Sequence, residues 1–215
     1  MSTQLNALNL IAPKVLEAYG AEGKRLNFND VYHSTHVNVQ VPHFVGMLDG
    51  QAVTVRWTNG RYKYDTDTLI VGTPGPLNFR IPRLEVIDSI GSLVTVNYGV
   101  RMSPGAPLII SKSLSLNVDQ QMFDLSEPRL SGDRKNVTVK FLNMTSPYSI
   151  RVRWHGVVVR DTESQPIQNS SSMAFSIPAG WITENAGKVV LINYSVHRSG
   201  SNDNLMFSRV LRVIL

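Results

Sequence analysis

A duplication at a spacing of 96–97 residues constrains this 215-residue chain more than any other feature. Val55-Arg56-Trp57 recurs as Val152-Arg153-Trp154, and Phe79-Arg80-Ile81-Pro82 as Phe175-Ser176-Ile177-Pro178. Gly91 recurs as Gly187, and Asn97-Tyr98-Gly99-Val100 as Asn193-Tyr194-Ser195-Val196. Ser111-Lys112 with Leu114 recurs as Ser208-Arg209 with Leu211. The order is kept and the offset drifts by one residue, so the chain reads as two copies of one unit. Its length suits two small domains, since domains commonly run about 100–150 residues.

Each copy reads as strands. Val37–Val41, Val53–Trp57 and Val94–Tyr98 alternate apolar and polar residues, as do Val137–Phe141 and Ile150–Trp154. Period-two alternation puts one side of a strand in a core and the other in solvent. Turn signals separate the runs: Asp49-Gly50, Asn59-Gly60, Thr73-Pro74-Gly75-Pro76 and Ser103-Pro104-Gly105, then Asp133, His155-Gly156 and Ser199-Gly200. Pro13–Tyr19 is the one stretch with a helical look. Short strands without helical crossovers imply an antiparallel sandwich. The expected fold is all-β: two tandem immunoglobulin-like antiparallel β-sandwiches. Domain 1 spans residues 1–118 with an N-terminal extension, domain 2 spans 119–215, and the join falls near 117–125. Trp57 and Trp154 stand where this fold carries its core tryptophan. Tyr98 and Tyr194 occupy the corner-tyrosine position, with Val100 and Val196 at the place of the usual cysteine. Val39 or Val41, and Val137 or Val139, take the opposite cysteine position.

These residues carry a resemblance. Val39-Gln40-Val41-Pro42, Gly46-Met47, Asp49-Gly50-Gln51-Ala52-Val53-Thr54-Val55-Arg56-Trp57, Tyr64-Asp65-Thr66-Asp67-Thr68-Leu69, Phe79-x-Ile81-Pro82 and Val94-x-Val96-x-Tyr98-x-Val100 resemble the immunoglobulin-like repeats found in tandem in large proteins of Pseudomonas-like bacteria. Ala12-Pro13-x-Val15-x-Glu17-Ala18 is similar to the opening of such a repeat. The likeness covers most of residues 11–118. It is weaker in the second copy, which lacks the Gly-Met stretch and has a shorter entry before Asn136. The resemblance implies a spacer or adhesive module; the fold itself serves many functions.

Composition narrows the chemistry. With no cysteine, disulfides, zinc-thiolate sites and cysteine nucleophiles are excluded. Hydrophobic residues make up 42% and charged residues 17%, enough apolar material for packed cores. The net charge of +5 is spread: residues 1–118 hold 10 Lys/Arg against 8 Asp/Glu, and residues 119–215 hold 11 against 8. Nucleic-acid binding needs clustered charge, so the basic balance does not point to it. No apolar run reaches the length of a membrane span. The opening stretch has no basic n-region or long apolar h-region. The expectation is a protein that is cytoplasmic or exported by a signal-independent route.

Candidate chemistry is sparse. His33-x-x-His36 with His43 suggests a metal cluster, but extended chain would turn the pair to opposite sides. Asp65-x-Asp67 offers two carboxylates where calcium needs six to eight oxygens. No metal, cofactor or catalytic residue is therefore expected: no Gly-x-Ser-x-Gly, cysteine nucleophile or phosphate loop is present. Asn136, Asn143, Asn169 and Asn193 begin glycosylation-type triplets, read as chance. Arg56, Arg151 and Arg153 alternate with the tryptophans and are expected on the outer face. The candidate binding residues are Tyr62 and Tyr64, on one face after Asn59-Gly60, and Trp181, aligned with Glu85. The divergent segments are Glu17–Thr35, absent from the second copy, and Arg61–Pro76 against Val157–Ser172. The Tyr19–His36 segment joins the candidates for that reason. The expected function is non-enzymatic binding of a protein or glycan ligand, adhesin-like or receptor-binding. The alternative is a secreted toxin or effector acting on a host through surface or glycan binding.

Overall fold

The computed structural model describes residues 9–141, 144, 147–167, 171–198 and 205–215. Two compact units divide the chain, Met1–Asp119 and Gln120–Leu215.

In domain 1, β1 (Lys14–Val15), β3 (His36–Val41) and β7 (Leu77–Pro82) form one sheet in the order β1-β3-β7. The second sheet runs β2 (Arg25–Leu26), β10 (Leu114–Val118), β8 (Leu93–Arg101), β4 (Ala52–Thr58), β5 (Lys63–Asp65). Two further short strands join it: β6 (Leu69–Ile70) pairs with β4, and β9 (Ile109–Ile110) with β8. Leaving β2 aside, the strand order is the A-B-E against C′-C-F-G arrangement of immunoglobulin-like sandwiches. The alternating residues meet between the sheets: Val37, Val39, Val41, Val53, Val55, Trp57, Val94, Val96 and Tyr98 are all essentially inaccessible. Val39 and Val41 on one sheet and Val100 on the other, at the places of the usual cysteines, are fully buried, so apolar packing takes the disulfide's place.

Domain 2 repeats the plan. One sheet is β11 (Arg129–Leu130), β12 (Asn136–Lys140) and β16 (Ser172–Ser176). The other is β14 (Val159–Asp161), β13 (Tyr148–His155), β17 (Val189–Arg198) and β18 (Met206–Phe207). Here β15 (Gln165–Pro166) pairs with β13 and β19 (Leu211–Ile214) with β17. Trp154, Tyr194, Phe175, Ile150 and Ile192 fill its core.

Three expectations need correction. Pro13–Tyr19 is not helical: Lys14 and Val15 pair with Gln40 and Val39, and the Glu17 carboxylate accepts hydrogen bonds from Asn38 N and Nδ2. Helix appears elsewhere, as α1 (Arg83–Ile87), α2 (Ala179–Glu184) and a 3-10 turn at Phe28–Val31. Both α-helices follow the repeated Ile-Pro, whose proline sits at the helix start. Tyr194 is not a corner tyrosine, because its hydroxyl donates to Lys140 O, 54 residues upstream, rather than to nearby backbone. The Ser199-Gly200 turn and the triplet asparagines 143 and 169 lie outside the described residues. Asn136 lies in β12, and Asn193 is a buried residue of β17.

Candidate functional site

The residues common to both copies have folding work. Ser111 Oγ accepts from Tyr98 N and donates to Lys112 O, and Ser208 does the same for Tyr194 N and Arg209 O. Arg56 grips Asp65 in a two-point ion pair at 2.6 and 2.9 Å, and Arg153 grips Asp161 at 2.7 Å on both oxygens. Hydrogen bonding from Arg56 holds the Asp65 carboxyl below its ordinary range. Burial pushes Asp161 up, but the hydrogen bonds and charge of Arg153, with Arg151 3.8 Å away, outweigh it and the net shift is downward. These arginines lie on the outer face, opposite the buried tryptophans. Thr66 Oγ1 accepts from Val55 N, and Thr162 Oγ1 from Val152 N. The Asp65-x-Asp67 stretch is thus a strand edge fastened to β4.

The sequence candidates fall in both domains. Tyr62 and Tyr64 flank Lys63 beyond the β4–β5 turn, which Asn59 Oδ1 closes by accepting from Arg61 N and Tyr62 N. Tyr64 lies directly across from Trp57 and is half-buried. Burial, then the charges of Asp67 and Glu85, raise its hydroxyl pKa. Tyr62 lies beneath the Arg61 guanidinium, 5.5 Å from the ring centre. Trp181 sits in α2 of domain 2, its ring 6.0 Å from Trp154 and 5.8 Å from the Arg160 guanidinium. The tyrosines and Trp181 belong to different domains, and Tyr64 and Trp181 each lie beside the core tryptophan of their own. His33 packs edge-on to Tyr32, His36 lies in β3 beside Thr35 Oγ1, and His43 is exposed in the following loop. No cluster of three or more His, Asp or Glu suited to a metal occurs among the described residues.

The Tyr19–His36 segment has a defined place. It leaves the β1 sheet and crosses to the other, where Arg25 and Leu26 pair in parallel with Asn117 and Val118 of β10. Asp119 then receives hydrogen bonds from Tyr19 and Arg25. Leu26, Phe28 and Val31 are buried, while Arg83 of α1 lies over the Phe28 and Tyr32 rings.

One surface was not singled out from the sequence. At the end of domain 1 away from α1, Val45 is 90% exposed, with Leu48, Ile70, Met102 and Leu108 also open. They come from the β3–β4 and β8–β9 connections and from the end of β6. Buried groups brace these loops: Gln51 Nε2 donates to Gly46 O at 2.8 Å and lies 3.5 Å from Met102 Sδ, and Gly75 N donates to Met47 Sδ. Gly50 N and Val71 N bond across the same junction. The signal was present in Phe44-Val45-Gly46-Met47-Leu48, an apolar run where the turn residues demand a loop.

No protein-family model and no curated protein matches the chain. Among solved structures it is similar to the BSP domain of a biofilm-associated protein, at 14% identity and a TM-score of 0.29, covering 84% of this chain and 27% of that one. It is similar to a tetra-tandem repeat in the extending region of a large adhesion protein, at 10% identity and a TM-score of 0.34, covering 83% and 45%. A structure concerned with host cell surface retention of a 1.5-MDa bacterial ice-binding adhesin gives 9% identity and a TM-score of 0.31, covering 89% and 60%. The chain thus spans less than two thirds of each of these. The fold assignment rests on this chain's own strand order.

Proposed function

We infer that this chain is a non-enzymatic binding protein, adhesin-like in kind, whose first domain presents its loop end to a protein ligand. The observation that carries this reading is the set of five exposed apolar side chains, Val45, Leu48, Ile70, Met102 and Leu108, held at one end of domain 1 by buried Gln51 and Met47. Loops on a rigid sandwich are where this fold commonly binds, and a cluster of exposed apolar residues marks such a surface. The resemblance to tandem bacterial repeats supports the same class of role. No observation here favours the toxin or effector alternative.

The test compares partner capture by the wild-type chain, by Val45→Asp/Leu48→Asp, and by Tyr62→Ala/Tyr64→Ala. Loss in the first variant, with unchanged melting, is the expected result. Equal capture by the wild type and the loop-end variant refutes the loop-end site. A ligand found on a glycan array instead refutes the choice of a protein.

A further inference from the structure

The two copies differ most at the outer edge of their last strand. In domain 1 that edge is taken: Asn117 N donates to Lys24 O and Asp119 N to Leu26 O, both at 2.8 Å. The covering segment then passes beside α1 and buries Leu26, Phe28 and Val31. Arg83 of α1 lies over the Phe28 and Tyr32 rings, and Val86 and Ile87 of the same helix are buried.

Domain 2 has the same edge without that segment. Five residues, 131–135, join β11 to β12 where twenty residues, 16–35, join β1 to β3. Among the described residues no strand pairs with the outer edge of β19. Ile214, which stands where Asn117 stands in domain 1, is 70% exposed. Leu215 N donates inward to Lys188 O, so the Ile214 N–H faces outward, as that of Asn117 does. Helix α2 has no fully buried residue, and Trp181 and Ile182 are only partly covered, as are Leu211 and Val213 of β19. Ile182 corresponds to the buried Val86 of domain 1. Natural sheets commonly blunt an open edge with charge, proline or a cover; the last residues of β19, Val213 and Ile214, are apolar.

We propose that the β19 edge and the adjoining face of α2 form a binding site for an extended peptide strand of a partner protein. The strand adds parallel to β19 and carries apolar side chains at positions i and i+2. The occupant's chemistry is read from domain 1, where Leu26 and Phe28 hold those two positions on the matching surface. Its backbone carbonyl accepts from Ile214 N, the first apolar residue covers Leu215, and the second reaches Ile182. Strand addition of this kind takes affinity from main-chain hydrogen bonds and specificity from alternate side chains. The site is separate from the loop end of domain 1 and does not depend on it.

The probe is a fluorescein-labelled peptide with the sequence of residues 22–32, titrated into the full chain and followed by anisotropy. Saturable binding is expected. A peptide carrying Leu26→Asp and Phe28→Asp should not bind. Ile214→Pro should weaken binding about tenfold, as loss of one aligned hydrogen bond allows. That proline replaces an outward N–H on an edge strand, a place where proline is tolerated, and Ile182→Asp provides a second variant that leaves the strand alone. No saturable binding, or binding that both variants leave unchanged, overturns the proposal; the latter result would mean that the peptide exchanges with β2 of domain 1. The Val45→Asp/Leu48→Asp variant should bind the peptide like wild type, which separates this site from the loop-end reading.

Discussion

Asn185 and Ser89 occupy the same place in the two copies and make different bonds. In domain 1 the Trp57 ring N–H donates to Ser89 Oγ at 3.0 Å, and Asn59 reaches across to Asp88. In domain 2 Asn185 does the reaching: its Oδ1 accepts from Val157 N at 2.7 Å and its Nδ2 donates to Trp181 O at 2.7 Å. Gly156 leaves the room, because a Cβ there would stand 2.6 Å from Asn185 Cγ. Asn185→Ala should therefore cost domain 2 about 1–3 kcal/mol, the range for stranding buried partners. Gly156→Ala should also destabilise, and its penalty should shrink when Asn185 is already alanine. Urea unfolding of the two single variants and the double variant measures this coupling. Additive penalties would show that the two positions do not meet. The sequence displayed both residues in register, but not that the polar bridge runs from opposite sides, because partner choice depends on which side chain reaches furthest.

At the scale of elements, the long strands were legible because alternation over five or more residues leaves one solution for the buried face. Val53–Trp57 and Ile150–Trp154 lie as their patterns demand. The short elements were not legible: β2 has two residues, too few to show a period, and its place depends on β10, more than ninety residues later. Glu17-Ala18 looked helical only because propensity ignores the Asn38 groups that claim the carboxylate. The candidate residues Tyr62, Tyr64 and Trp181 were visible as aromatics outside the shared anchors, whereas the loop-end cluster depends on which loops converge. Strand β13 adds a pH dependence. Burial, then the charge of Arg153, lowers the pKa of His155; burial, then the charge of Arg151, lowers that of His197 on β17. Folding thus favours the neutral imidazoles, so the stabilisation is full above the unfolded value of 6.5 and is lost as pH falls through the lower folded values. Domain 2 should melt at lower temperature as pH drops below about 6.5, and His155→Gln should flatten the profile. A domain 2 transition that is flat or rises on acidification in the wild type contradicts this assignment.

For the whole molecule, the account makes each repeat a domain with its own core, closed around its own tryptophan. Trp57 and Trp154 are each essentially inaccessible, in units that divide at Asp119 and Gln120. Truncating either ring should cost about 3–5 kcal/mol, a large share of the roughly 5–15 kcal/mol that holds a domain folded. The most direct measurement is denaturant unfolding of the full chain, followed domain by domain through backbone amide exchange, for the wild type, Trp57→Ala and Trp154→Ala. The account predicts that Trp57→Ala exposes the amides of β3, β4 and β8 at lower denaturant while those of β12, β13 and β17 keep their wild-type midpoint, and that Trp154→Ala does the reverse. If either substitution lowers both sets together, the repeats share one core and the account fails.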